Sequence, residues 1–164
     1  MSTSEQMAHN MSVFEEGETD PGLGSFAEGL GITFAEAGPE RAVATMPIDK
    51  GKLQPMGALA GGATVSLLET VASRAAAERT DFATERCFGY DVEIHHRKPG
   101  LSGSLTGVAD LFQVNGNSQT WSVTAFDDQD DIVSYGTVVT KIVSLERLAQ
   151  KDAERDAKRT SLGR

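Results

Sequence analysis

The chain has 164 residues, 39% of them hydrophobic, and a formal net charge of −9. These values fit one compact domain with a substantial core, and the acidic balance disfavours nucleic acid, which needs clustered Lys and Arg, as well as anionic lipid. The longest segment nearly free of charge, Leu53 to Ser73, contains Gln54, Pro55, Gly57, Gly61, Gly62 and Glu69 and is too polar for a bilayer span, so no membrane partner is expected.

Residues 1–20 carry Glu5, Glu15, Glu16, Glu18 and Asp20 with no Lys or Arg. They are expected to form a flexible acidic tail, with no secretory or transit signal. From Pro21, the run PGLGSFAEGLG predicts a short helix ending at Gly29 or Gly31. Ile32–Ala37 and Arg41–Ile48 read as strands joined by Gly38-Pro39-Glu40, a hairpin connection. ATVSLLETVASRAAAE, residues 63–78, lacks Gly and Pro and predicts one long helix. Val65, Leu68, Ala72, Ala75 and Ala76 mark its buried stripe, widened by Leu67 and Val71.

Four strand runs follow: Cys87–Arg97, Ser104–Val114, Thr120–Asp127 and Ile132–Val143. They break at Pro99-Gly100, Asn115-Gly116-Asn117 and Asp127 to Asp131. Short connections predict a meander of antiparallel neighbours. The expected fold is therefore α+β, a curved antiparallel sheet wrapped around one long central helix, with an exposed edge completed by dimerisation. The domain is expected to span 21–144, followed by a charged helix or tail over 145–164.

The single Cys87 forms no internal disulfide and reads as a small core residue, which suits a reducing cytoplasm. His95 and His96 are adjacent on a strand and point to opposite faces, so no shared metal ion is expected. Either one, facing a pocket, would bring an imidazole there.

Glu69 is the one formal charge between Leu53 and Ser73. On the helix it lies on or beside the apolar stripe, where a carboxylate without donors costs several kcal/mol. Ser73 follows one turn later and shares its face. Gly61-Gly62 opens the helix with free amides at its positive end, suited to developing negative charge. The bland alternative is a Glu that borders the stripe and reaches water or pairs with Arg74 or His95.

Gln54-Pro55-Met56-Gly57-Ala58-Leu59-Ala60-Gly61-Gly62, followed by Glu69 and Ser73, resembles the active-site segment of hotdog-fold acyl-CoA thioesterases. The resemblance is to the group that includes 4-hydroxybenzoyl-CoA, phenylacetate-pathway and 1,4-dihydroxy-2-naphthoyl-CoA thioesterases. The strand Asp91-Val92-Glu93-Ile94-His95-His96-Arg97-Lys98-Pro99 continues it. What the resemblance implies is hydrolysis of an acyl-CoA or aryl-CoA thioester. Glu69 would be nucleophile or general base, Gln54 and the Gly61 amide would polarise the carbonyl, and Ser73 would hold water. It also implies a homodimer, often paired into a dimer of dimers, and no cofactor. The family commonly has His-Gly-Gly before the helix; here that histidine is Ala60. For the CoA phosphates, Arg97 and Lys98 are the candidate contacts, with backbone amides near Asn115 to Ser118, those of Asn117 and Ser118 among them, as helpers; Gly62, beside Gly61, is a further candidate substrate contact. Two other readings are a non-catalytic acyl-CoA-binding or assembly module, which Ala60 favours, and an enoyl-thioester hydratase or dehydratase, which wants a paired Asp and His.

Overall fold

In a computed structural model of the chain, residues 5–7 and 24–161 are described. The acidic tail expected over 1–20 falls almost entirely outside them. A short helix α1 (Gly24–Gly29) leads into the hairpin β1 (Thr33–Ala37) and β2 (Arg41–Pro47). The Gly38 N–H donates to the Arg41 carbonyl at 2.9 Å and closes the turn. In β2, Ala42, Ala44 and Met46 are 0% exposed and alternate with outward residues. The two faces of this strand are thus sharply distinguished, although its sequence barely separates them.

Helix α2 runs Gly61–Ala77, beginning earlier than the alanine-rich stretch because both glycines belong to its first turn. Leu67, Leu68, Val71, Ala72, Ala75 and Ala76 are fully buried against the sheet, while Val65 is half-buried. The stripe is therefore centred on Leu67 and Val71, and Glu69 borders it. Complete burial of Leu67, Leu68 and Val71 contributes roughly 1.5–3 kcal/mol each. The alanines let the helix approach the sheet closely.

The remaining strands are β3 (Glu85–His96), β4 (Ser104–Asn115), β5 (Ser118–Phe126) and β6 (Ile132–Ser144), followed by α3 (Leu145–Ser161), which buries none of its residues. The expected four-strand meander is only partly formed. The sheet order is β1-β2-β4-β5-β6-β3, so β3 pairs with β6 at one edge and β4 pairs with β2 in the interior. After β3 the chain crosses three strand positions, roughly 14 Å at the usual spacing. The connection 97–103 can span this, and Gly103 turns it into β4 at φ +75°.

The expectation of a curved sheet wrapped around the helix is corrected by the same topology. The six strands form one open antiparallel sheet whose ends, β1 and β3, do not pair with each other. Six strands span roughly 24 Å across, whereas a helix with its side chains is only about 10–12 Å wide. The helix packs on one face of this sheet, and no strand of the described residues closes over it. Below it, fully buried Trp121 donates from Nε1 to Thr140 Oγ1 at 3.0 Å, and Thr140 donates to Gln119 Oε1 at 3.2 Å, so these three buried side chains are linked by hydrogen bonds.

Candidate functional site

The loop before α2 is held by its own backbone. Asp49 caps a 3₁₀ turn, Lys50–Lys52, by accepting from the Gly51 N–H at 2.9 Å, and its carboxylate also pairs with the largely buried Lys52. The Lys52 carbonyl accepts from the Ala60 N–H at 2.8 Å. Between these points, the Gln54 N–H donates to the Ala58 carbonyl at 2.8 Å and the Gly57 N–H to the Gln54 carbonyl at 2.9 Å. Gly57 takes φ +82°, a conformation that favours glycine. Gln54 is thereby fixed beside the helix start, and Leu59 donates to the Gly100 carbonyl at 2.8 Å, tying this loop to the β3–β4 connection.

Ala60 is the N-cap of α2 and offers no side-chain hydrogen bond. The first amides of the helix are left to a ligand or water at the positive end of the helix dipole. Space is open where a side chain on Gly62 would stand. A cleft of about 370 Å³ is lined by Gln54, Gly61, Thr64, His96, Arg97 and Lys98 among others.

His96 follows Val92 and Ile94 onto the core-facing side of β3. Its Nδ1 lies 2.8 Å from Ser134 Oγ, and its Nε2 lies 3.0 Å from the place of a β-carbon on Gly61. His95 lies on the opposite face, its ring 5.3 Å from that of Tyr135 and its Nε2 3.4 Å from Glu93. Among the described residues no group of three or more His, Cys, Asp or Glu is arranged to hold a metal ion.

Glu69 is half-buried on the flank of α2 that faces β3. Its Oε1 lies 2.6 Å from where a β-carbon on Gly89 would stand. There β3 is bulged: Gly89 pairs with Thr140 and Asp91 with Val139, leaving Tyr90 as the extra residue. Ser73 is half-buried one turn further on, on the same flank. Glu69 is eight residues from Gly61 along the helix, roughly 12 Å at 1.5 Å per residue. Within one chain, then, Gln54, Gly61, Arg97 and Lys98 come together around one cleft, with Gly62 beside it. Glu69 and Ser73 lie elsewhere, against a sheet edge that no strand of the described residues covers.

The basic residues are unequal. Lys98 Nζ is 2.6 Å from Asp127 and 2.7 Å from Asp131. Those carboxylates hold the Lys98 ammonium above its ordinary range, and Lys98 in turn holds Asp127 below the usual carboxylate range. Its charge is already engaged, whereas Arg97 is exposed at the cleft. Asn117 and Ser118 are not near this pair. The Asn117 side chain donates to the Ile142 carbonyl at 3.0 Å, and Ser118 pairs with Lys141, which pairs with Phe88. Phe88 is eight residues from His96 along β3, roughly 26 Å at strand spacing. Cys87 is half-buried against the core, and burial pushes its thiol up despite hydrogen bonding with Thr80 and Thr140.

Two residues here escaped the sequence reading. Gly89 was readable as a glycine inside a strand, a sign of a bulge or close approach. Ser134 had no such signal, since only the pairing of β3 with β6 sets it opposite His96.

Residues 56–134 match the family described as the Thioesterase superfamily. The proofreading thioesterase EntH of Cronobacter sakazakii (strain ATCC BAA-894) is 32% identical over 108 residues, covering 65% of this chain and 77% of that protein. The 1,4-dihydroxy-2-naphthoyl-CoA hydrolase of Escherichia coli (strain K12) is 29% identical over 122 residues, covering 74% of this chain and 89% of that protein. The crystal structure of AziG from S. sahachiroi superposes with a TM-score of 0.71 at 31% identity, covering 75% of this chain and 99% of that one.

Proposed function

The chain belongs to the hotdog-fold thioesterase superfamily and is a thioester hydrolase, and from that premise we propose that it hydrolyses an acyl-CoA or aryl-CoA thioester with Glu69 as the catalytic carboxylate. The observation that carries the proposal is the setting of Glu69. It is the one charge between Leu53 and Ser73, half-buried, with its carboxylate fitted against a glycine at an open sheet edge.

A carbonyl oxygen placed at the Gly61 amide and near Gln54 meets fixed donors whose attraction grows as negative charge develops on it. Glu69 then either deprotonates a water that attacks the carbonyl carbon and passes that proton to the departing CoA sulfur, or attacks the carbon itself to form a mixed anhydride that water cleaves; both routes end in CoA thiol and the free acid, with Glu69 restored. Ser73 holds that water. The separation of roughly 12 Å along α2 means that one chain does not present both halves to one thioester. Antiparallel pairing of two copies along β3 sets the Gly89 end of one strand against the His96 end of the other. Glu69 of one subunit then faces the partner subunit's Gln54 and the partner's Gly61, and the exposed edge is covered. Arg97 receives CoA phosphate.

Incubation with a panel of acyl- and aryl-CoA esters and a free-thiol readout tests this reading. Thiol release is expected. Tight binding of the esters without release would instead favour a non-catalytic acyl-CoA module, the reading that Ala60 supports. Mixing Glu69→Gln with Gln54→Ala tests the shared site: subunit exchange is expected to restore about a quarter of wild-type activity, since half of the dimers are hybrid and each hybrid has one intact site.

A further inference from the structure

We propose that His96 is a further catalytic residue, whose Nε2–H donates to the thioester carbonyl oxygen beside the Gly61 amide. The proposal rests on the hydrolase reading above and adds a donor to it. Three observations carry it.

The ring is tethered. Ser134 is 0% exposed, and its Oγ lies 2.8 Å from His96 Nδ1 across a directly opposed pair of β3 and β6. A buried hydroxyl needs a partner. When Ser134 donates to Nδ1, the proton of the neutral imidazole resides on Nε2, which becomes a donor.

The donor end is also aimed. Nε2 lies 3.0 Å from the place of a β-carbon on Gly61, so the absence of a side chain there is what admits the ring to the helix start. The same cleft is lined by Gln54. Finally, the neighbourhood has room for this group. Ala60 puts only a methyl at the N-cap, and among the described residues His96 is the imidazole that reaches this turn, whereas His95 lies against Tyr135 on the opposite face. His96 transfers no proton in this role: its N–H bond to oxygen strengthens as the tetrahedral intermediate forms and relaxes as the C–S bond breaks.

Kinetics and spectroscopy on the full-length protein together test the proposal, with benzoyl-CoA as probe. His96→Ala is expected to lower kcat roughly 10²-fold while KM changes less than about threefold, the pattern of a lost transition-state donor. His96→Gln, which keeps an N–H donor, is expected to recover to within about tenfold of wild type, and Ser134→Ala to lose about tenfold through the untethered ring. His95→Ala serves as the control and leaves kcat within about twofold. Infrared difference spectra of ¹³C-carbonyl benzoyl-CoA bound to Glu69→Gln should show the carbonyl stretch at lower frequency than in water, and adding His96→Ala should move it back up. Normal turnover by His96→Ala, or a stretch that ignores His96, overturns the proposal while leaving hydrolysis intact. A stretch that responds to His96 in a protein that never releases thiol sustains the donor and removes the hydrolase reading.

Discussion

The Glu69 carboxylate occupies space that a side chain on Gly89 would need, with Oε1 2.6 Å from the position of the absent β-carbon. The contact joins the helix that carries the charge to the strand at the open edge of the sheet, at the bulge that leaves Tyr90 outside the ladder. Strand and helix together fix where this carboxylate points.

Gly89→Ala therefore separates chemistry from folding. The added methyl meets the flexible end of a side chain rather than backbone, so Glu69 swings aside and the fold survives. Displacement of a reacting group by about 1 Å costs up to 10²-fold in rate. The expected result is a kcat lower by roughly 10- to 10²-fold with Tm changed by less than about 4 °C, read by thiol release and thermal denaturation.

Arg97 and Lys98 are adjacent but are expected to behave differently. With Lys98 engaged by Asp127 and Asp131, Arg97→Ala should raise KM for a CoA ester about 5- to 10-fold and Lys98→Ala less than about threefold. The pairing depends on pH with a definite sign. Asp127 is held low, so its contribution is present above the ordinary carboxylate range and is lost as pH falls through its depressed value. Lys98 is held high, so its contribution is present below the ordinary lysine value and is lost as pH rises through its raised one. From about pH 5 to 10 both are charged, and the KM ratio of Lys98→Ala to wild type should stay flat. Steady-state kinetics across that range checks it.

Cys87 is expected to be chemically quiet. Burial pushes its thiol up, which lowers the thiolate fraction at neutral pH. An aromatic disulfide reagent at pH 8 should label it at least about 10-fold more slowly in the native protein than in the unfolded one. Cys87→Ala should leave kcat within about twofold, since the thiol plays no part in the chemistry.

The elements were largely legible because their signals are local. The Gly38-Pro39-Glu40 turn and the uninterrupted residues 63–78 locate the β1–β2 hairpin and α2 without reference to the rest of the chain. Pairing was less legible. Nothing in Cys87–Arg97 says that its neighbour is β6 and not β4, and the open form of the sheet follows from the same long-range choice. The contrast of Glu69 with its apolar surroundings could be seen from composition alone. His96 was half-visible: strand alternation separates it from His95, but which face meets the helix depends on the order of the strands. The engagement of Lys98 was hidden because Asp127 and Asp131 reach it only through the turn between β5 and β6.

Thiol release by Glu69→Gln, measured beside wild type on the same CoA ester, decides whether this carboxylate carries the chemistry. The substitution preserves shape and removes the charge. A folded protein is expected, by circular dichroism and Tm, with turnover reduced at least about 10³-fold, as for loss of an essential nucleophile or base. A folded Glu69→Gln that hydrolyses the ester at a rate near that of wild type would remove Glu69 from the reaction.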